Sequence, residues 1–255
     1  VAVIHEKVIT VDVLSNESSK TSPSSSKNNM EVFLFMPDGE GPNPGIVLAQ
    51  HIPVGHTGIE NDTFTLATAR RLAENGYAVA VPFIFHWWPK HESMEKKKDE
   101  SRDDWTVLDM QTAFNLLVEQ PSVNPEKIAM VGHCWGGRVA WLAACHINRF
   151  RGLAVFYGGN IKKGLGEGAV APITLTGNIS CPVIGFFGND DGNPSPADVE
   201  DYHQALGEAG IPHEFHQYDG AGHAFQNFPA PDRYNEAASD DAWVKVIEFL
   251  NEILK

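Results

Sequence analysis

Cysteine is scarce in this chain of 255 residues. Its three, Cys134, Cys145 and Cys181, are too few and too odd in number to read as a disulfide framework, and they suit a reducing compartment. Positive charge is short as well: 19 Lys and Arg stand against 33 Asp and Glu, a formal net charge of -14. That balance excludes the basic face that nucleic acid or an anionic membrane requires. No apolar run approaches the roughly 20 residues that cross a bilayer, and the N-terminal stretch lacks the basic, apolar, small-residue order of a signal peptide. A cytoplasmic protein with neither nucleic acid nor membrane as partner is the expectation. There is no internal repeat, and the glycine-rich stretches 158–160 and 164–168 carry no phosphate-loop or dinucleotide fingerprint. Histidine is plentiful at 11, yet the closest pair that could attract a metal, His213 and His216, sits on a strand pattern where positions three apart face opposite sides. No metal site is expected.

What is present is the ordinary balance of a soluble globular chain, 42% hydrophobic and 20% charged, at a length that fits one α/β domain over residues 1–255. Residues 8–13 and 32–36 read as two strands of an opening hairpin, separated by a Ser-, Asn- and Lys-rich stretch, 15–29, expected to be a mobile loop. Buried strands follow at 45–50, 77–82, 128–131, 153–157, 182–187 and 214–218. Between them fall helical patterns at 63–75, through Val107, Met110, Phe114 and Val118, at 135–146 and at 197–208. Trp243, Ile247, Leu250 and Leu254 form the stripe of a closing helix. Such alternation predicts a doubly wound sheet with helices on both faces and ligands at the carboxyl ends of its strands. Residues 90–104, with Lys96-Lys97-Lys98 among acids, exceed the usual connection length and read either as a lid or as a solvated charged loop.

The most informative segment is Gly132-His133-Cys134-Trp135-Gly136-Gly137, which joins the strand 128–131 to a helix. A side chain at the apex of such a turn stands above the sheet, and its neighbours must be tiny for strand and helix to approach. The N–H groups after the apex, at the positive end of the helix, point towards an oxyanion forming there. A thiol in that place is a candidate nucleophile. It needs a base and a group to orient the base, and both follow later strands: Gly188-Asn189-Asp190-Asp191, then Asp219-Gly220-Ala221-Gly222-His223. Asp190 and Asp191 compete as orienter. Asp191 is preferred, because Asp190 is also a natural turn former. Cys145 and Cys181 read as packing residues, and Arg138 as the partner of an acid that sequence leaves unnamed.

Nucleophile, acid and histidine in that chain order, each just past a strand, are the order of the α/β-hydrolases. The elbow, the Gly188-Asn189-Asp190-Asp191 turn, Ala221-Gly222-His223-Ala224-Phe225 and Ala49-Gln50-His51-Ile52 together resemble the dienelactone hydrolase family, from about residue 30 to the C-terminus. The resemblance implies an α/β-hydrolase fold with a mostly parallel sheet of about eight strands. It also implies a Cys134, Asp191, His223 triad and an oxyanion hole from the N–H groups of Trp135 and Ile52. No cofactor is implied. The expected partner is a small ester or lactone, and a monomer is expected with an oligomer left open.

Two departures from the family pattern bear on substrate. His51 stands where the family has a glutamate that pairs with the resting thiol, and an imidazole can stay neutral or stabilise a thiolate. The two arginines that hold the family's substrate carboxylate are missing: the matching stretches are Phe83-Ile84-Phe85-His86-Trp87-Trp88 and Gln226-Asn227. His51, His86, Trp87 and Trp88 are therefore expected to line the substrate site, with a preference for uncharged or aromatic esters. Two alternatives share the frame: a thiol acyltransferase or thioesterase, and a catalytically silent binding protein.

Overall fold

The computed structural model describes residues 3–13, 29–39, 41–52 and 58–255. Strands β1 (Ile4–Asp12) and β2 (Asn29–Pro37) pair antiparallel, followed by β3 (Asn43–Ala49), α1 (Thr63–Glu74) and β4 (Ala78–Pro82). Next come α2 (Met94–Asp99), α3 (Asp103–Val118), β5 (Val123–His133), α4 (Trp135–His146) and β6 (Leu153–Phe156). The chain closes with β7 (Val183–Gly188), α5 (Pro196–Glu208), β8 (His213–Tyr218) and α6 (Glu236–Leu254).

All eight strands form one sheet in the order β1-β2-β4-β3-β5-β6-β7-β8, parallel from β4 to β8. Every residue of β4, β6 and β7 is buried, which is why these segments read as unbroken apolar runs. β1, at one edge, is mostly exposed and carries His5, Glu6 and Lys7, charges and polar groups that discourage pairing with another chain.

The order turns back at β3. The connection from β3 runs to β4 on one side, and those from β5 run to β6 and beyond on the other. Right-handed crossovers then place the connecting helices on opposite faces of the sheet and leave a crevice where the loops after β3 and β5 diverge. Ala49, the last residue of β3, is in register with Gly132 of β5, so both loops leave the sheet at the same height.

The expected loop 15–29 lies outside the described residues except for Asn29, the first residue of β2. Residues 90–104 contain α2 and the start of α3. Lys97 is buried there, its Nζ donating to the Lys90 carbonyl at 2.9 Å, and burial lowers its pKa. Trp88 Nε1 donates to Glu100 at 2.8 Å, so the segment is tied down on both sides of α2. No described helix is long and apolar enough to cross a membrane.

Candidate active site

Cys134 occupies the turn between β5 and α4 with φ 56° and ψ -120°, a left-handed conformation unusual for a residue with a Cβ. Close packing holds it there. A Cβ on Gly132 would stand 2.0 Å from the Gly136 carbonyl oxygen, and one on Gly136 would stand 2.2 Å from that of Ala49. Two glycines thus let β5, α4 and the end of β3 meet at backbone contact distance, and the strained apex between them projects its thiol into the crevice.

The loops after β7 and β8 bring the other two groups to it. His223 Nε2 lies 3.0 Å from Cys134 Sγ, and His223 Nδ1 lies 2.7 Å from Asp191 Oδ2. Asp191 is buried, and its second oxygen accepts the Asn193 N–H at 2.8 Å, which fixes the carboxylate plane. Asp190 is exposed and its N–H donates to the Ala221 carbonyl, so it shapes the turn while Asp191 faces the imidazole. Tyr157 packs edge-on against the His223 ring with centroids 5.5 Å apart. Burial opposes a proton on His223, but its hydrogen bonds to Asp191 and Cys134, with the charges of both, push it up to about 10.

Cys134 and His223 open onto a pocket of about 190 Å³ that also touches Ile52 and Trp135. Trp135 is the first residue of α4, where a backbone N–H has no intrahelical acceptor. Both residues expected to donate to an oxyanion therefore border the space where one would form. The remaining described wall is Gly159, Asn160, Asn193 and Lys98.

His51, His86, Trp87 and Trp88 lie elsewhere. His51 is buried, its Nε2 2.9 Å from Asp62 Oδ1, and its ring packs on Phe64. Burial opposes ionisation of Asp62, but hydrogen bonds from His51 and Thr65 hold its carboxyl below the usual value. His86 Nε2 and Trp87 Nε1 both contact the Asp109 carboxylate, at 2.9 and 3.0 Å. Trp87 stacks on Trp105 at 4.7 Å, and Trp88 lies tilted against the same ring. None of the four is among the described residues lining the Cys134 pocket. Trp87 and Trp88 instead share a small separate cavity with Trp135, their indole N–H groups donating to the buried Asp109 and to the exposed Glu100.

Sequence patterns missed two features and left a third, the acid paired with Arg138, unnamed. Lys98 is the one lysine or arginine among the described pocket residues. The lysine run at 96–98 signalled charge, but only the helical turn of α2 separates a buried Lys97 from an exposed Lys98. His133, inside the elbow motif, stacks on Phe156 at 4.3 Å and contacts Gln226 Oε1 at 3.0 Å; burial, with the neighbouring His51 charge, drives its pKa down to about 3. Arg138, four residues past the thiol, forms a bidentate pair with Asp103 at 2.7 and 3.0 Å.

The family model described as the dienelactone hydrolase family matches residues 30–254. A Synechocystis sp. protein named provisionally as a carboxymethylenebutenolidase is 29% identical over 88% of this chain and 92% of its own length. A carboxymethylenebutenolidase of Rhodococcus opacus is 28% identical over 73% of this chain and 74% of its own. Among solved structures, a protein of Klebsiella pneumoniae described provisionally as a dienelactone hydrolase superposes with a TM-score of 0.78 at 21% identity, covering 97% of this chain and 99% of that one.

Proposed function

Since the chain belongs to the dienelactone hydrolase family, we propose that it hydrolyses esters or lactones through an acyl thioester on Cys134. One observation carries the reading: a single imidazole spans 3.0 Å to the thiol sulfur and 2.7 Å to a buried carboxylate. In the proposed cycle His223 holds the proton that Cys134 gives up, and the sulfur attacks the carbonyl carbon. The carbonyl oxygen becomes an oxyanion facing the N–H groups of Trp135 and Ile52. As that intermediate collapses, the C–O bond to the leaving group breaks and the leaving alkoxide takes the proton from His223. Water then gives a proton to His223 and attacks the thioester, and release of the thiolate frees the acid. Asp191 keeps the imidazole in one tautomer and stabilises its cation throughout.

The proposed substrates are small and uncharged or aromatic at the reacting end. Trp135 supplies the aromatic surface, no described wall residue is an arginine, and Lys98 offers one ammonium at an exposed position. A neutral aryl acetate is expected to turn over faster than an anionic lactone. Lys98→Gln should lower kcat/KM for an anionic ester by about three- to fivefold, the scale of an exposed ion pair, and leave a neutral one unchanged. Faster turnover of the anionic lactone by the unmodified chain overturns the preference.

The mechanism itself is tested by intact mass and peptide mapping after brief exposure to a small activated aryl ester, with phenol release followed in parallel. The expected result is a burst of acylation on Cys134 that then clears. Cys134→Ala should give no adduct, and His223→Asn should acylate at least a thousandfold more slowly, the usual scale for loss of a triad member. A folded protein that neither acylates nor releases phenol favours a binding protein on the same fold.

A further inference from the structure

A cavity larger than the one at the thiol lies elsewhere in the fold. About 460 Å³ opens between the first turns of α3, the end of α4 and residues 165–175, and it shares no lining residue with the Cys134 pocket. That volume lies in the range of small-molecule sites. Its apolar surface comes from Leu108, Leu142, Leu165, Val170 and Leu175. Leu142 is 1% exposed, whereas Val170 at the mouth is 54% exposed, so the surface runs from a closed floor to an open rim.

The polar groups around it are unequally committed. Asp103 is spent on Arg138 and on the Leu165 N–H, which it accepts at 2.9 Å, tying the 165–175 loop to α3. Asp104 accepts both arms of Arg102. Glu167 is exposed and has no hydrogen bond or ion pair among the described residues, although its charge reaches the Arg102 guanidinium. His146 is fixed by its Nδ1, which lies 2.9 Å from the Leu142 carbonyl. A carbonyl only accepts, so Nδ1 carries a proton, and in the neutral ring Nε2 is the acceptor. The uncommitted groups are thus a carboxylate and an imidazole acceptor, both on exposed residues at the rim of the cavity.

We propose that this cavity is a second small-molecule site, and that its ligand is a protonated apolar amine. The alkyl or aryl body would cover Leu108, Leu142, Leu165 and Val170, and the ammonium would donate to Glu167 and to His146 Nε2. A carboxylate ligand of the same shape would meet Glu167 with like charge, and an alcohol would lack the charge to pair with it. The frame is rigid where the ligand needs it to be, because the Asp103–Arg138 pair that anchors the loop is buried, with side chains 10% and 1% exposed.

The test is a titration of the full chain with 2-phenylethylammonium and with 2-phenylethanol, followed by backbone amide NMR. The amine is expected to saturate shifts at 142–146 and 165–170 and to bind more tightly than the alcohol. Glu167→Gln should weaken the amine about three- to fivefold, as an exposed ion pair would. Val170→Lys, which sets a competing ammonium at the exposed mouth, should weaken the amine at least as much. Both variants should hydrolyse ester at the unmodified rate, since neither residue lies on the Cys134 pocket. Equal affinity for amine and alcohol, shifts centred on His223, no saturable shift, or affinity unchanged in both variants would each overturn the assignment.

Discussion

His223 and His133 face opposite ways in their acid-base behaviour although both lie beside the same elbow. His223 holds its proton up to about 10 against an ordinary value of 6.5. Its interactions therefore stabilise the fold fully below about pH 6.5, and that contribution is lost as pH rises through 10. The same proton serves the leaving group in the proposed cycle, so kcat/KM for an aryl ester should hold through neutral pH and fall as pH passes about 10. A pH-rate profile checks this. His133, buried and neutral with its pKa near 3, contributes stability that is present above about pH 6.5 and lost as pH falls towards 3. Urea unfolding across that acid range should show a declining midpoint, with a shallower decline in His133→Asn. The two roles were unequally visible in sequence: glycines around residue 221 marked His223 as a loop histidine close to the backbone. Nothing marked His133 as a buried one bound to Gln226, because that contact joins residues far apart in the chain.

At the scale of single elements, the elbow is where local sequence speaks most directly. Gly132, Gly136 and the apolar run before them dictate strand, turn and helix by sterics alone, and α4 runs from Trp135 to His146 as its pattern requires. Gly132→Ala should cost above about 4 kcal/mol in chemical denaturation, the exceptional range for one substitution, since a Cβ there meets a carbonyl oxygen at 2.0 Å. Gly192→Ala, with nothing within 4 Å, should stay within about 0.5 kcal/mol. The charged stretch 90–104 was far less legible, because a run of lysines does not say which of them turns inward. The proposal that this segment acts as a lid follows from α2, which presents Lys98 to the pocket while Lys97 and Glu100 tie it down. Amides of 94–99 should exchange faster than those of α3 in the free protein and slow down in the acylated one; equal exchange in both states would count against a lid. His86, Trp87 and Trp88 show the same limit. Their apolar character forecast burial, but only the fold decides that Asp109 and Trp105 claim them and that Trp135 alone reaches the pocket.

Across the whole molecule, strand alternation was readable from end to end, while the lateral order β4-β3-β5 and the partners it creates were not. Arg138 illustrates the difference. Its helix was plain in sequence, but its acid proved to be Asp103 on α3, with the carbonyls of Asn160 and Lys163 completing the guanidinium's bonds at 3.1 and 2.6 Å. One cation thereby fastens two helices and a loop whose Asn160 borders the Cys134 pocket. Arg138→Leu should destabilise by about 3–5 kcal/mol, the cost of leaving a buried carboxylate without its partner. Asp103→Leu combined with Arg138→Leu should recover part of that loss, as measured by a double-mutant unfolding cycle.

The crevice also gathers its proposed chemistry from Ile52, Cys134, Asp191 and His223, positions separated by most of the chain and supplied by the loops after β3, β5, β7 and β8. A nascent chain on the ribosome holds the thiol long before it holds the imidazole. In the proposed cycle its cysteine therefore has no base until β8 has been synthesised and docked, and the first turnover of ester would report that the last parallel strand is in place.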